Sequence, residues 1–374
     1  MALEQFAGRL YSIPYRRSIW GSEHSVNQIT FGVEARRLHQ DILREGLALS
    51  DMRTSQSVEL RINAESGFSD DLSEPGHQID LEWIESIASF SRPVPKTATS
   101  SLLSYFLDGS QQTLPGYHSA AMPIMASVTS AAILERHSAA DFRIVPGRIS
   151  LRKCWIVPLA SGHDDVDAFI ARVGSSGTKA VDPLAELGPT EYSNTLLNYA
   201  AIEQRALIAS RHQRVEQELD LLETWPMISG GSDRWIVVDG ALRQPVRRAL
   251  GLVKSFTRQY VSGALASQLF QMPGGFRSPA FLVEDKWRTG RYTVWYVRLW
   301  DATGRDPRYG LVRLETAEPD LSSEWIDQLS RWVLAERLPR ATNDSRWPTL
   351  LYPIYVLEQI LKRYTARELR YWPG

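Results

Sequence analysis

The sequence predicts an α/β protein: a mixed central sheet flanked by helices, with a mainly helical extension at its N-terminal end. Three observations point there. Two apolar runs, Leu102 to Leu107 and Trp235 to Val238, each end on Asp-Gly, as strands do when they reach the rim of a sheet. Strand-forming composition sets in near Ser101, and a long helical pattern from Glu191 to Thr224 separates the two Asp-Gly strands. Strands alternating with helices are the signature of an α/β layer architecture.

Residues 1 to 95 form the expected extension, with an amphipathic helix within Asn27 to Leu47 stopped at Gly46. A second helix is expected over Asp80 to Phe90, capped by Asp80 and ended before Pro93. The polar stretch from Ala64 to His77 between them reads as an exposed loop. The remaining residues, 101 to 374, form the main domain. Its first strand is a buried aromatic and apolar run that delivers Asp108 to the sheet's rim. Ser119 to Leu134 and Arg143 to Leu159, the latter broken at Pro146-Gly147, would complete a meander of three antiparallel strands. A helix follows at Asp164 to Val173.

Leu196, Ala200, Glu203, Leu207, Ile208, Val215, Leu219 and Leu222 then fall near helical spacing, with no proline before Pro226. A Gly-Gly loop leads into the strand that ends at Asp239. Leu250 to Phe256 reads as a short strand carrying Lys254. Further strands are expected at Ala280 to Glu284, Tyr292 to Leu299 and Gly310 to Glu315, the last two alternating as a half-exposed hairpin. Helices over Ser323 to Glu336 and Leu350 to Tyr364 close the chain, with Pro353 suited to a first helical turn.

Composition removes several classes of function. The 374 residues carry 42 Lys and Arg against 43 Asp and Glu, so the net charge of -1 gives no global field for nucleic acid. Any such surface is local. A single cysteine, Cys154, set in an apolar run, excludes disulfide scaffolds and cysteine-rich zinc sites. Residues Met1 to Tyr15 lack the apolar core of a signal peptide, and no run of about 18 apolar residues exists to span a bilayer, so a cytoplasmic protein with no membrane partner is expected. There is no Gly-x-x-x-x-Gly-Lys-Ser/Thr run, so any ATP dependence must come from another chain.

Chemistry concentrates at the two strand ends. Asp108 and Asp239 on neighbouring strands would bring two carboxylates together, the arrangement that holds a divalent ion against a phosphodiester. A helix returning beside the second strand would come level with Asp239 near its middle, where Glu203 and Glu216 are both candidates for a third carboxylate. Arg243, Arg247, Arg248, Lys254 and Arg258 form a local cationic cluster suited to phosphate contacts. A first strand ending on aspartate, a meander, a helix bearing glutamate and a second strand ending on aspartate form the carboxylate layout of an RNase H-like nuclease.

In that order the motifs also resemble the NurA nucleases. Asp108-Gly109-Ser110 is similar to the Asp-Gly-Ser that opens their core, and Val237-Val238-Asp239-Gly240-Ala241-Leu242 to their second Asp-Gly strand. Gly251-Leu252-Val253-Lys254, Val312-Arg313-Leu314-Glu315 and Tyr352-Pro353 resemble three later motifs of the family. The likeness spans about residues 101 to 365. It implies an RNase H-like fold, a homodimer, manganese- or magnesium-dependent cleavage of DNA, and work with a HerA-like hexameric ATPase in DNA-end processing or anti-phage defence. Asp108, Asp239 and Glu203 would be the metal ligands, with Glu216 as the other helix acid and Lys254 beside them. Arg243, Arg247, Arg248, Lys254, Arg258 and Tyr352 would meet nucleic acid. The family often carries a histidine in its Tyr-Pro helix; this chain has none after His212, and Glu358 is the nearest polar residue.

The expected activity is a 5′–3′ exonuclease and single-strand endonuclease. Its rival is a non-catalytic RNase H-like adaptor that docks on an ATPase ring and guides DNA.

Overall fold

Both Asp-Gly strands lie at the centre of one large mixed sheet. The computed structural model describes residues 30–45, 52–54, 81–96, 100–119, 122–138, 141–176, 178–254, 259–284, 290–318, 320–339 and 346–370. The polar stretch of residues 64–77, the first fifteen residues and Arg258 lie outside these.

Along the chain come helix α1 (Phe31–Glu45) and the short strands β1 (Met52–Thr54), β2 (Glu82–Trp83) and β3 (Arg92–Pro93). Three long strands follow, β4 (Leu103–Ser119), β5 (Met122–Arg136) and β6 (Phe142–Ile156), then helix α2 (Asp164–Ser176) and β7 (Lys179–Val181). Helices α3 (Pro189–Leu196), α4 (Tyr199–Glu223) and α5 (Trp225–Ser229) lead to strands β8 (Trp235–Asp239) and β9 (Ala249–Val253). Helix α6 (Gly263–Gln271) precedes β10 (Phe276–Arg277), β11 (Phe281–Glu284), β12 (Arg291–Arg298) and β13 (Leu311–Thr316). Helices α7 (Ser323–Glu336) and α8 (Tyr352–Glu368) come last.

The strands run in the order β2-β11-β12-β13-β9-β8-β4-β5-β6-β7, with β1 on β4 and β10 bridging β12 and β3. The pairs β4–β8, β8–β9 and β6–β7 are parallel and the other ladders antiparallel, so the sheet is mixed. The expected meander is present as β4, β5 and β6. Its Pro146-Gly147 break is a bulge rather than an end: Ala132 pairs Ile149 and Leu134 pairs Ile144, and Gly147 takes a φ of 68°. The added residues bend the strand without stopping it.

Alternation divides the strands between two cores. Phe106, Val237, Leu252 and Leu314 face one side and pack with Leu329, Ile354 and Leu357 of the last two helices. Leu107, Ile236 and Val238 face the other and pack with Leu221, Leu222 and Trp225. A third core, at the far end of the long strands, joins Phe31 and Leu38 of α1 to Tyr117, Trp155 and Phe169. The first turn of α1 is tied to the end of α8, where the Phe31 amide donates to Glu368 Oε2 at 3.0 Å.

Four expectations are corrected. Strand β4 does not end at Asp108 but runs on to Ser119, so Asp108 sits within it, opposite Ala132, where only the ladder with β8 stops. Residues 81–90 form no helix; Glu82–Trp83 is a short strand on β11, followed by turns. Local helical pattern loses there because Glu85 turns inward to Arg277, and Ile84 and Glu85 donate their amides to the Ala280 carbonyl. The long helical signal is two helices, broken where Asn198 turns extended and accepts from the Ala201 amide as an N-cap. The hairpin of β12 and β13 lies well inside the sheet and is buried on both faces, not half-exposed. Among the described residues no helix is long and apolar enough to cross a membrane.

Candidate active site

Register sets the two aspartates side by side. Strands β4 and β8 run parallel with Leu107 opposite Val238, and each strand places its acid one residue later. On the far side of β8, Asp239 pairs with Leu252 of β9, and Lys254 follows two residues on. Lys254 Nζ donates to Asp239 Oδ2 at 2.6 Å, with both side chains 15% exposed. Asp108 is almost fully buried, and its Oδ1 accepts the Gly109 amide at 2.7 Å. By alternation Asp108 shares the face of Phe106, toward α8, and Asp239 shares that of Val237.

The opposite face is opened by a glycine. A Cβ on Gly109 would stand 2.8 Å from Arg214 Cγ and 3.1 Å from Glu218 Cδ, closer still to a Glu218 oxygen. Glu218 therefore lies directly over the backbone beside Asp108, ion-paired with Arg214 one helical turn earlier. The helix runs antiparallel to β4 in matched steps. Ser210 meets Thr113 at 2.8 Å, Arg214 meets Gln111 at 3.3 Å, and Glu218 meets Gly109. Four helical residues advance ~6 Å and two strand residues ~6.6 Å, which keeps the rows in step. A cleft beside this point is lined by Leu107, Val215, Glu218, Asp239, Gly240 and Arg243.

The electrostatics match the geometry. Burial pushes the Asp108 carboxyl well above its ordinary range, and the neighbouring Asp239 pushes it further; Lys254 opposes, while Glu358 and Glu218 add to the rise. Glu218 is also raised, by burial first and with Asp239 adding, against the pull of Arg214. Burial alone would lower the Lys254 ammonium, but Asp239 and then Asp108 hold it charged. Arg211 is depressed to about 10 by burial and by the like charges of Arg214 and Arg243. Glu358, on α8, stays ionised because Arg346, Lys254 and Lys362 outweigh its burial.

Of the residues singled out from sequence, the structure brings together Asp108, Asp239 and Lys254. It leaves both helix candidates out. Glu216 is exposed and pairs with Arg152 at 3.0 Å. Glu203 lies 218 − 203 = 15 residues from Glu218, ~22 Å along the helix, and is raised by burial alone. Arg243 reaches the cleft. Arg247 and Arg248 turn instead to Glu318 at 3.7 Å and Asp233 at 2.9 Å. Tyr352 packs its ring edge-on to Phe142, centroids 5.7 Å apart, and belongs to the core margin. Arg313 and Glu315 are buried on one strand, two residues apart. Glu218 is not among the residues expected from sequence, though the row Ser210, Arg214, Glu218, Leu222 at spacings of four carries its signal.

The donor set fits a divalent cation in its chemistry. Two hard carboxylates share one place, and the buried Asp108 gains its charge only against Asp239; a cation is what relieves that opposition. Among the described residues no three His, Cys, Asp or Glu side chains are already gathered as a ligand group. Asp108 and Asp239 form a pair, and Glu218 meets it from the other face of the sheet. No protein-family model matches the sequence, and no curated protein matches it.

Proposed function

We propose that this protein is a divalent-metal-dependent deoxyribonuclease with an RNase H-like core, of the NurA type. The observation that carries the reading is the side-by-side placement of Asp108, within β4, and Asp239, at the end of the parallel strand β8, with Lys254 paired to Asp239 and Glu218 packed over Gly109 on the other face. Asp108 and Asp239 would hold Mn²⁺ or Mg²⁺, with Glu218, not Glu203 or Glu216, the helix acid packed behind them. Such an ion supplies an activated water for in-line attack and stabilises the leaving oxygen. The chain's own residues do the rest. Burial keeps the Asp108 carboxylate dry, Lys254 and Arg214 balance the acids, and Arg243 at the cleft mouth draws the phosphates in. The expected outputs are 5′–3′ exonuclease and single-strand endonuclease cutting by a homodimer working with a HerA-like hexameric ATPase, in DNA-end processing or anti-phage defence.

One observation favours the adaptor reading. Lys254 already neutralises Asp239, and Arg214 neutralises Glu218, so much of the acidic charge is balanced from within. A scaffold that guides DNA for an ATPase ring would need no more.

End-labelled single- and double-stranded DNA, incubated in Mn²⁺, Mg²⁺ or EDTA with and without the ATPase, separates the two. The nuclease reading requires metal-dependent cleavage that Asp108→Asn and Asp239→Asn both abolish and Glu218→Gln strongly reduces. Cleavage that persists in Asp108→Asn overturns it, and silence of the wild type even with the ATPase leaves the adaptor.

A further inference from the structure

A carboxylate that the reaction does not use lies wholly buried behind the site. Glu315, on β13, has no exposed surface. It accepts the backbone amide of Leu242, the third residue beyond Asp239. Its partner in charge is Arg313, whose Nε lies 3.8 Å from Glu315 Oε2. The Arg313 guanidinium in turn covers the Tyr260 ring at 4.8 Å and acts on the Tyr296 hydroxyl, which accepts the Tyr260 amide at 3.3 Å.

These contacts reach both segments that leave the site strands. Leu242 belongs to the turn that follows Asp239, and Tyr260 to the segment that follows Lys254. Gly251 closes the arrangement: a Cβ there would stand 2.9 Å from Glu315 Cγ and 2.9 Å from the Gly240 carbonyl oxygen. Gly240 itself is held to Leu252 by a bridge, with its amide 2.9 Å from the Leu252 carbonyl. Gly251, Glu315 and the turn Gly240–Leu242 are therefore one close-packed unit.

We infer that Glu315 is a positioning residue, which fixes the turn beyond Asp239 and so sets the aim of that carboxylate toward Asp108 and a bound cation. This rests on the metal-carboxylate reading above. A buried ion pair is a poor source of net stability, because desolvation consumes its attraction. What it supplies here is direction, since an acceptor locked inside the sheet holds one amide in one place. Groups that orient metal ligands from behind alter metal affinity on the order of 10–100-fold when removed.

The test is Mn²⁺ affinity by calorimetric titration of the full chain, alongside melting temperature in EDTA. The variants are Glu315→Ala, Glu315→Gln and Gly251→Ala, with Asp108→Asn as reference. Glu315→Gln keeps an oxygen that can accept from Leu242 and should bind Mn²⁺ within about threefold of wild type, whereas Glu315→Ala should lose tenfold or more. Gly251→Ala drives a methyl into Glu315 and the Gly240 carbonyl, and should lose affinity as Glu315→Ala does. A merely structural residue would lower melting temperature and leave affinity in the folded fraction alone. Wild-type affinity in folded Glu315→Ala overturns the inference; if that variant does not fold, wild-type affinity in Gly251→Ala overturns it. Should Asp108→Asn also bind Mn²⁺ like the wild type, the metal reading itself fails and takes this inference with it.

Discussion

Replacing Gly109 with alanine tests how tightly Glu218 is fitted over the first aspartate. The backbone there is ordinary strand, pairing Gly109 with Ala131, so alanine brings no conformational strain. The added methyl would sit 2.8 Å from Arg214 Cγ and 3.1 Å from Glu218 Cδ, so the carboxylate must withdraw. Overpacking of this kind costs about 1–3 kcal/mol. A less flexible unfolded chain returns about 0.4–1 kcal/mol. The net loss is then about 1–2 kcal/mol, read from the midpoint shift in urea unfolding monitored in EDTA. A double-mutant cycle makes the cause explicit. In a Glu218→Ala background the obstructing carboxyl is gone and Arg214, freed of its partner, is the one side chain left to yield, so Gly109→Ala should cost less, with a coupling energy of about 1 kcal/mol. Additive effects, within about 0.5 kcal/mol, would show that Glu218 does not occupy this space and would sink its assignment to the site.

Two further outcomes follow from the charges. Asp108→Asn should raise thermal stability in EDTA at pH 7 to 8. Burial and Asp239 lift the folded-state pKa above its unfolded value, so the folded protein binds more protons between the two and its stability falls as pH rises through that window. The advantage of the variant should therefore grow from acid toward neutral pH and then level off; a variant less stable than wild type at pH 8 contradicts this. Glu85 runs the other way. Burial would raise it, but Arg277 with Ser323 and the Ala280 amide holds it below its ordinary value of 4.5. Its stabilisation is complete above about that pH and fades as pH falls through the lower folded value. Glu85→Gln should cost about 3–5 kcal/mol at pH 7 and release residues 81–96 to protease, with the gap to wild type closing in acid; a gap that narrows at no acid pH refutes the pairing.

The two aspartates were legible because an apolar run closed by acid and glycine is a local feature, although only Asp239 ends its strand and β4 carries on past Asp108 to Ser119. So was their proximity, given strands that pair in parallel. The third acid was not legible, since a helix beside a strand can be levelled by length but not by rotation. Glu216 stands at nearly the height of Glu218 but two residues, ~200° around the helix, away from it. Burial of β13 was hidden for a related reason. Arg313 and Glu315 look like a solvated face, yet they pair with each other inside the sheet. The expected helix at Asp80 to Phe90 yielded to a contact no local pattern records, since Glu85 meets Arg277 across 192 positions of chain.

Helix α8 has a consequence for how the chain matures. Its Leu357 and Leu361 cover the core on which Phe106 and Val237 rest, and its Glu358 completes the field around Asp108 and Lys254. The charged centre thus draws on positions 108, 218, 239, 254 and 358, a span of 358 − 108 = 250 residues. Such long-range closure comes late in folding. Before α8 docks, Phe106 and Val237 lack that cover, on the same face as Asp108 and Asp239. Docking of α8 therefore seals the core and, in the same step, adds Glu358 to the charges around Asp108 and Lys254, so packing and electrostatics are completed together.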